Sequence, residues 1–427
     1  MVKRRRLNYK FLIIISLFIV LGLSLVKAIV AKSPRNTVDN NSNINTELKE
    51  NTDDQLLDIE SKEKTNEIVA KITAVGDIIY HDEQLSSAYN ETTNSYDFND
   101  NFEYIKSYIE NADFSLATCE TTFAGAEYDY SGYPLFNTPT DALDSLKNAG
   151  FDMLSLASNH LLDVTEPGFF NSVEAVKEKN FDILGVRSDE SEANYIVKDI
   201  NGIKIGFTSY CFETANLYGQ RTLNSIPIPY SIVNLINTFG STTLESDLSL
   251  MNQTVANMKS DGAEFIIFVM HWGDEYSTEY SSYQEEIAKS LNSFGVDVIL
   301  GSHPHVVQPI EKIKNESTSK ETLVFYSLGN FLSNQRLETM GNSLSANGAL
   351  AQLEIQKDSN GVVSLKNYDY VPTWVYKYTD KKNKTKYKIL PVKDVLDSPL
   401  KGNIPQSVIN ELEESYNSTT SILGQVN

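Results

Sequence analysis

The chain has 427 residues, of which 41% are apolar, and its formal net charge is −21 with a sequence pI near 4.7. This length and apolar content allow a large folded core, since α/β folds often use 250 residues or more as one unit. The acidic charge argues against a nucleic-acid partner, because the chain offers no basic face to phosphates.

The N-terminus has the pattern of a membrane anchor. A basic segment, residues 1–10, precedes an apolar stretch at residues 11–30 whose length matches the roughly 20 residues that span a bilayer. The basic segment should stay in the cytoplasm, so we predict a single-pass protein of the cell membrane with the bulk of the chain extracellular. A cleaved signal peptide is the alternative, and it puts the folded part on the same side.

Residues 31–68 are rich in polar and charged side chains and predict a disordered linker. The folded domain is expected at residues 69–377, where short apolar runs alternate with helical stretches in the pattern of an α/β fold. The predicted strands are residues 72–75, 114–117, 153–157, 181–184, 265–270, 296–300 and 323–327. The predicted helices are residues 102–111, 141–150, 169–179, 244–260 and 283–294.

Two hairpins are also predicted, each turning at an Asn-Gly step. The first pairs residues 195–199 with 204–210, and the second runs from residue 353 to 370. Residues 212–243 are interpreted as a long loop, and loops of that length are usually functional or mobile.

Residues 378–427 are charged and weakly patterned, and we predict that they form a peripheral extension. The two cysteines, Cys119 and Cys211, permit one disulfide in an extracellular protein. Nothing in the sequence brings them together, so two buried free thiols are favoured.

All five histidines lie in short polar clusters that directly follow apolar runs of β type. They are His81, His160, His271, His303 and His305. Strand ends are where α/β folds gather ligands and catalytic groups. Together with nearby carboxylate and amide oxygens, these imidazoles form the ligand set of a di-metal hydrolytic site. We therefore predict one or two divalent ions of Mn, Fe or Zn.

The pair His303 and His305 gives the sharpest indication. Pro304 disfavours helix at His303, and residues i and i+2 of an extended stretch face the same way, so both imidazoles can address one cavity. Asp77 ends the first predicted strand. At that position it is equally consistent with a metal ligand and with a turn residue. Asn159 offers a neutral carbonyl ligand after the third strand.

The remaining candidates keep two interpretations each. Glu120 could bridge two metals or act as a general base without metal. His160 is a candidate acid or anion-binding group, and Asp163 either orients it or caps the next turn. Asn330 could contact substrate or serve only a structural turn.

Several signatures are missing from the sequence. It has no phosphate-cradling Gly-Lys-Ser/Thr loop, no two-glycine dinucleotide turn and no Gly-x-Ser-x-Gly elbow. Their absence argues against NTP hydrolysis, dehydrogenation and serine-hydrolase chemistry.

Taken together, the clusters resemble the CapA family, bacterial capsule-synthesis proteins linked to poly-γ-glutamate. The matching pieces occur in the family's order between about residues 70 and 375. They are Val75-Gly-Asp77, Ala117-Thr-Cys-Glu120, Ser158-Asn-His160 with Asp163, His271-Trp-Gly273, Gly301-Ser-His-Pro-His-Val-Val-Gln-Pro309 and Ser327-Leu-Gly-Asn-Phe331. The resemblance implies the calcineurin-like metallophosphatase superfamily. Its fold is an αββα sandwich of two mixed sheets flanked by helices, here preceded by a transmembrane helix.

The resemblance also implies roles for individual residues. His160 matches the histidine that stabilises the leaving group or transition state. Ligand positions are implied for Asp77, Asn159, His271, His303 and His305.

Three positions depart from the superfamily pattern. Ile79 stands where an Asp-x-His motif has its histidine, and His81 is the candidate substitute. Glu120 replaces the bridging aspartate, and Leu161 stands where phosphatases commonly carry Glu.

The function implied is that of a membrane-anchored extracellular protein in the synthesis, export or attachment of an anionic polymer such as poly-γ-glutamate. It would hydrolyse an amide or phosphoester at a divalent metal, whose binding lowers the pKa of water to about 7. The expected partners are the cytoplasmic membrane, the polymer and other capsule-synthesis membrane proteins. Two alternatives remain open: a surface metallophosphoesterase unrelated to capsule, and a noncatalytic module that binds an anionic polymer in the same cleft.

Overall fold

Two β-sheets form the centre of the molecule in the computed structural model, which describes residues 67–217, 219–398 and 404–424. The predicted membrane anchor at residues 11–30 and nearly all of the predicted linker lie outside these residues. No helix in the described part of the chain is long and apolar enough to cross a membrane.

The strands vary from two to seventeen residues in length. They are β1 (Ile68–Ile78), β2 (Tyr89–Asn90), β3 (Ser95–Tyr96), β4 (Phe114–Cys119), β5 (Met153–Ser155), β6 (Asp182–Leu184), β7 (Ile196–Ile200), β8 (Ile203–Phe212), β9 (Thr214–Leu217), β10 (Gln220–Leu223), β11 (Ile226–Pro227), β12 (Thr238–Phe239), β13 (Phe265–His271), β14 (Val298–Ser302), β15 (Val307–Lys314), β16 (Glu321–Leu328), β17 (Asn330–Leu332), β18 (Asn347–Lys357), β19 (Val363–Thr379) and β20 (Thr385–Pro391).

The helices lie mostly between the strands. They are α1 (Asp82–Ala88), α2 (Lys106–Glu110), α3 (Asp141–Ala149), α4 (Thr165–Glu178), α5 (Leu244–Ser260), α6 (Ser282–Phe294), α7 (Leu337–Met340), α8 (Val392–Asp397) and α9 (Gln406–Leu423). Capping chemistry sets several of their ends. The Ser281 hydroxyl accepts the backbone N–H of Gln284 at the start of α6, and Gly150 and Gly295 end α3 and α6 in the left-handed conformation.

Both sheets are mixed. The first has the order β20-β19-β18-β1-β4-β5-β6, with β17 also pairing with β1, and its run from β1 to β6 is parallel. The second has the order β12-β8-β13-β14-β16-β15, with β7 also pairing with β8, and its run from β12 to β16 is parallel. The predicted alternation of strands and helices is confirmed.

The apolar strand β13 shows why the layers form. Successive side chains of a strand point to opposite faces of the sheet. Ile267 and Val269 enter the core between the two sheets, while Ile266, Phe268 and Met270 pack against α5 and α6. Because both faces are covered, the sequence of this strand is continuously apolar rather than alternating.

The first sheet is layered in the same way. Ala74 and Leu116 face the core between the sheets, whereas Val75 and Ala117 face α3 and α4. The described residues therefore stack as helices, sheet, sheet and helices.

Two predictions of local structure are wrong, and one strand was not predicted. Residues 102–111 form a 3-10 turn and the short helix α2, and the Asn101 amide donates to the Tyr387 carbonyl at 2.8 Å beside that turn. The predicted loop 212–243 contains β9 to β12. Strand β15 was not predicted, and it accommodates Pro309 because it is an edge strand.

The prediction of a peripheral extension from residue 378 also needs correction. Strand β19 continues through this boundary, and β20 pairs with it at the edge of the first sheet. Helix α9 then packs its Ile409 and Leu412 against Trp374 of β19. This segment therefore completes the main sheet and one of its apolar clusters.

Candidate metal centre

Strand ends from both sheets meet at one place. Asp77 lies at the end of β1 and Glu120 directly follows β4, both in the first sheet. His271 ends β13 and His303 directly follows β14, both in the second sheet. Because these strands are parallel within each sheet and the sheets pack face to face, their carboxyl ends bring the polar side chains together.

Two glycines allow the backbone to come this close. A Cβ on Gly301 of β14 would lie 1.9 Å from the carbonyl oxygen of Tyr326, and one on Gly76 of β1 would lie 2.0 Å from that of Gly329. Any other residue would push these segments apart, since Cβ atoms do not approach a backbone oxygen so closely.

Glu120 is the centre of the cluster. Its Oε1 lies 3.7 Å from His271 Nε2, and its Oε2 lies 3.8 Å from His305 Nδ1. The residue is fully buried, and within the described part of the chain neither carboxylate oxygen has a hydrogen-bond partner. These separations are too long for hydrogen bonds. They are near the spacing of ligand atoms that share one ion, roughly 3–3.6 Å for bonds of about 2.0–2.2 Å.

Asp77 repeats this arrangement beside Glu120. Its Oδ1 lies 3.7 Å from His271 Nδ1 and, among the described residues, accepts no hydrogen bond. Its Oδ2 lies 3.7 Å from His305 Nδ1 and accepts the backbone N–H of His303 at 2.9 Å. That hydrogen bond fixes one oxygen and leaves the other directed into the cluster.

The donor atoms fall into two overlapping groups. One is formed by Glu120, His303 and His305, and the other by Asp77, Glu120 and His271, with the atoms of each group within 4.8 Å of one another. Glu120 belongs to both groups, which is the position of a ligand that bridges two ions.

The protonation preferences of these groups follow from burial. Burial and the nearby charge of Glu120 raise the pKa of Asp77 well above its usual range, and burial raises that of Glu120 to about 8. Burial lowers the pKa of His271 to about 3 and those of His303 and His305 well below their usual range. The histidines are therefore neutral, which is the form that binds metal.

Neighbouring polar groups orient the imidazoles. His271 Nε2 lies 2.7 Å from Asn159 Oδ1, and His271 Nδ1 lies 3.0 Å from Ser302 Oγ. His305 Nδ1 lies 3.2 Å from Asn330 Oδ1. The same nitrogens face Glu120 and Asp77, so each would bind an ion only by giving up its contact with the neighbouring side chain.

The prediction of a substrate contact at Asn330 is not supported. Asn330 is fully buried behind His305, and its amide donates to the carbonyls of His305 and Ser345 and to the side chain of Gln335. Its donors are engaged within the protein, which matches the structural alternative.

A cavity of about 720 Å³ opens beside the cluster, with His160 in its wall. His160 Nδ1 lies 2.7 Å from Asp163 Oδ2, and its Nε2 lies 3.9 Å from Glu120 Oε1. Burial acts to lower the pKa of His160, but the hydrogen bond to Asp163 and the charge of Glu120 outweigh it and raise that pKa. Asp163 Oδ2 also accepts the N–H of Phe136, so Asp163 orients His160, as one of its two interpretations proposed.

His81 does not join the metal donors, contrary to the prediction. It precedes α1 as its N-cap, and its Nδ1 accepts the backbone N–H of Asn334 at 3.3 Å. Among the described residues, neither donor group includes His81. It lines the cavity instead, where burial lowers its pKa to about 4.

Several cavity residues were missed by the sequence analysis. Asn224 contacts Asn159 and His160 from the segment predicted to be a loop, and Glu275 and Tyr276 line the cavity after β13. Their position depends on how the segments fold back, and their spacing gives no indication of it.

The two cysteines are free thiols, as the sequence analysis favoured. In the part of the chain that the structure describes, Cys119 and Cys211 are both buried and unpaired.

Comparison with known proteins identifies relatives. The model of the family described as "Bacterial capsule synthesis protein PGA_cap" matches residues 71–335. The "Capsule biosynthesis protein CapA" of Bacillus anthracis is 26% identical over 310 residues, which are 71% of this chain and 68% of that protein. The "PGA biosynthesis protein CapA" of Bacillus subtilis (strain 168) is 26% identical over 226 residues, which are 52% of each protein.

Solved structures show a weaker similarity. The calcineurin-like phosphoesterase YfkN from Bacillus subtilis has a TM-score of 0.40 and 15% identity, covering 83% of this chain and 98% of that one. The sulfate thiohydrolase SoxB from Thermus thermophilus has a TM-score of 0.35 and 13% identity, covering 73% and 44%. At these values we draw no conclusion from the similarity.

Proposed function

Because the chain belongs to the family of bacterial capsule synthesis proteins described as PGA_cap, we propose that it is a metal-dependent hydrolase acting on the capsule polymer. The bond that it cleaves is an amide, and the polymer is an anionic one such as poly-γ-glutamate, which the name of its Bacillus subtilis relative abbreviates. We also propose that residues 11–30 anchor the protein in the membrane and that the folded domain is extracellular.

Glu120 carries this proposal. An ionised carboxylate that is buried without hydrogen bonds costs several kcal/mol, so it either takes up a proton, as the raised pKa of Glu120 indicates, or pairs with a cation. Both carboxylate oxygens of Glu120 and Oδ1 of Asp77 have no hydrogen-bond partner among the described residues. All three oxygens face imidazole nitrogens. Carboxylate oxygens and neutral imidazoles are the donors that Zn, Fe and Mn ions bind.

The donor set therefore fits one or two divalent ions. Glu120 would bridge them, and Asn159 would add a neutral oxygen. The other residues that would hold the ions are Asp77, His271, His303 and His305. Bound there, a divalent ion polarises the scissile carbonyl and lowers the pKa of a water molecule to about 7.

The number of ions sets the charge of the site. Asp77 and Glu120 together carry two negative charges when ionised, so one divalent ion balances them and a second leaves two positive charges. Among the described residues that line the cavity there is no Lys or Arg. Because Asp163 and Glu275 also line the cavity, attraction of an anionic polymer to this site requires at least the second ion.

His160 supports cleavage of an amide. The nitrogen of an amide leaves poorly unless it receives a proton, and His160 faces the cavity beside Glu120 with its other nitrogen held by Asp163. Asp163 fixes the ring so that Nε2 donates toward the cavity. Among the described residues that line the cavity there is no Lys or Arg to hold a phosphoester beside His160, which makes the surface phosphoesterase the weaker alternative.

The test begins with metal content. We would express the full chain, measure bound metals by elemental mass spectrometry, and compare the double variant His303→Ala, His305→Ala with His81→Ala. His81 is the matched control because it lies in the same cavity outside both donor groups. We expect one to two equivalents in the wild type and in His81→Ala, and none in the double variant.

Activity is then measured on γ-glutamyl amides and on phosphoesters. Amide turnover that depends on the metal supports the proposal. Absence of metal even after loading with excess ion would overturn the metallohydrolase. Turnover of phosphoesters alone would replace the amide substrate, and polymer binding without turnover that survives His303→Ala would identify a noncatalytic module.

A further inference from the structure

A second cavity, which we call the Arg187 cavity, lies apart from the metal centre. Its volume is about 330 Å³, and it shares no lining residue with the cavity beside His160. Its walls come from Arg187 after β6, from Tyr210 of β8, from the segment around Asn237 and from α5.

Arg187 is the unusual member of this cavity. Of the three arginines among the described residues, Arg221 pairs with Glu213 and Arg336 pairs with Glu338, whereas Arg187 has no carboxylate oxygen within 4.0 Å. Its Nη1 donates to Asn237 Oδ1 at 2.8 Å, and its Nη2 donates to the carbonyl of Asn234. Its Nε is buried and, within the described ranges, has no partner.

The acidic groups nearest to Arg187 are already engaged. Glu192 pairs with Lys177 at 2.8 Å, and Glu190 accepts the Asn234 amide at 3.0 Å. Asp247, in the wall of the cavity, accepts the N–H of Gly240 and the hydroxyl of Thr243. Arg187 therefore has no direct ion pair among the described residues, although carboxylates of Asp247, Glu190 and Glu192 lie farther off.

We propose that the Arg187 cavity binds a carboxylate. A guanidinium without a direct ion pair matches the single charge of a carboxylate, whereas a phosphate dianion would call for a second cation that is free to bind. The planar fork of arginine also matches the two oxygens of a carboxylate. Neutral polar side chains of Asn194, Thr254 and Gln253 line the same cavity, and they are held in place by hydrogen bonds to Tyr210, to the Leu250 carbonyl and to Asn257.

The source of that carboxylate is a polymer with one on every residue. The segment between β8 and α5 lines both cavities: Asn224 and Ser225 face the metal centre, and Asn234 and Thr238 face Arg187. An extended chain lying along this segment would have one carboxylate held by Arg187 while another part enters the metal centre. This assignment of the polymer rests on the proposed function, whereas the carboxylate site itself does not.

The experiment titrates the full chain with a γ-linked glutamate trimer by isothermal calorimetry, in chelator, so that no divalent ion contributes. We expect Arg187→Gln to weaken binding at least about tenfold, since a charge-assisted fork is lost. Arg187→Lys should weaken it less. The matched control is Lys289→Gln, which removes one positive charge from an exposed position on α6 and should bind like the wild type.

Because Arg187 also holds Asn237 and Asn234, a second variant guards against loss of folding. Gln253→Glu adds a carboxylate to the cavity wall from an exposed position on α5 and should also weaken binding about tenfold. Wild-type affinity in a folded Arg187→Gln variant, or in Gln253→Glu, would overturn the proposal. So would inorganic phosphate binding more tightly than the trimer. A negative result on metal content leaves this titration unchanged, so failure of the two proposals can be told apart.

Discussion

At the scale of single residues, the site is defined by charges that its own side chains leave unbalanced. Glu120 and Asp77 are fully buried, and the imidazoles around them are neutral because burial lowers the pKa values of His271, His303 and His305. Neutral imidazoles cannot offset carboxylates. A bound cation would therefore stabilise the folded state by favouring the ionised carboxylates.

Replacing Glu120 tests this balance directly. In chelator, we expect Glu120→Gln to melt at a higher temperature than the wild type, because an amide in this position removes a buried carboxyl that repels Asp77. Metal at about 100 times its Kd should raise the free energy of unfolding of the wild type by about 2.7 kcal/mol. It should raise that of the variant only slightly. Thermal unfolding with and without metal measures both effects. Glu275→Gln, at the same cavity, is the control and should respond to metal like the wild type.

Asp163 is a positioning residue, and Asp163→Asn separates orientation from metal binding. The carboxylate holds His160 Nδ1 at 2.7 Å, and an amide cannot accept that proton as strongly. We expect kcat for a γ-glutamyl amide to fall about 10- to 100-fold, as for other groups that orient an active-site imidazole. KM and metal content should stay near wild type. A change in KM with kcat intact would mean that Asp163 shapes only the cavity.

The sequence predicted the cluster itself but not its surroundings. Its five residues lie at or after the ends of apolar strands, and parallel strands carry such residues to one edge of a sheet. They are Asp77, Glu120, His271, His303 and His305. The error at His81 has a local reason. A residue four positions after Asp77 is no longer in the strand, and here it begins α1 instead. Asn224 could not be predicted, because its contacts depend on the fold of a segment with no readable periodicity.

At the scale of elements, the long apolar strands were predictable and the short ones were not. Strands such as β13 are buried on both faces, so their continuous apolar sequence is evident. Strands β9 to β12 have two to four residues, too few to show an alternation. The C-terminal segment was misjudged because Tyr387 and Ile389 of β20 alternate with Lys386 and Lys388, and the charges concealed an edge strand.

A substitution in α9 measures how far this segment belongs to the core. Leu412 is fully buried against Trp374 and Val392, so Leu412→Ala should lower the free energy of unfolding by about 2–5 kcal/mol. Leu250→Ala, at an exposed leucine of α5, should cost less than about 0.5 kcal/mol. Denaturant unfolding of the full chain gives both values. Equal, small effects would restore the interpretation of a peripheral extension.

At the scale of the whole molecule, the charge of the chain opposes the anionic polymer that we propose as its substrate. The net charge is −21, and the chain would repel a polyanion over a distance of about 8–10 Å at moderate salt. Two proposed features would counteract this repulsion locally: a metal centre that holds two divalent ions, and the guanidinium of Arg187, which has no direct ion pair. Binding should therefore depend on cations more than on total charge.

This dependence can be measured with long poly-γ-glutamate and the full chain at constant ionic strength. Replacing part of a monovalent salt by a divalent one should tighten binding, because divalent ions both occupy the metal centre and bridge carboxylates of the polymer and the protein. In the double variant His303→Ala, His305→Ala the first contribution is absent, so the gain in affinity that remains measures bridging alone.

A neutral γ-linked glutamine oligomer controls for contacts that do not involve charge and should show no gain in affinity. An affinity for polyglutamate that stays constant as divalent ions replace monovalent ones would mean that neither cation effect operates, and the polymer would then have to be held by contacts other than its carboxylates.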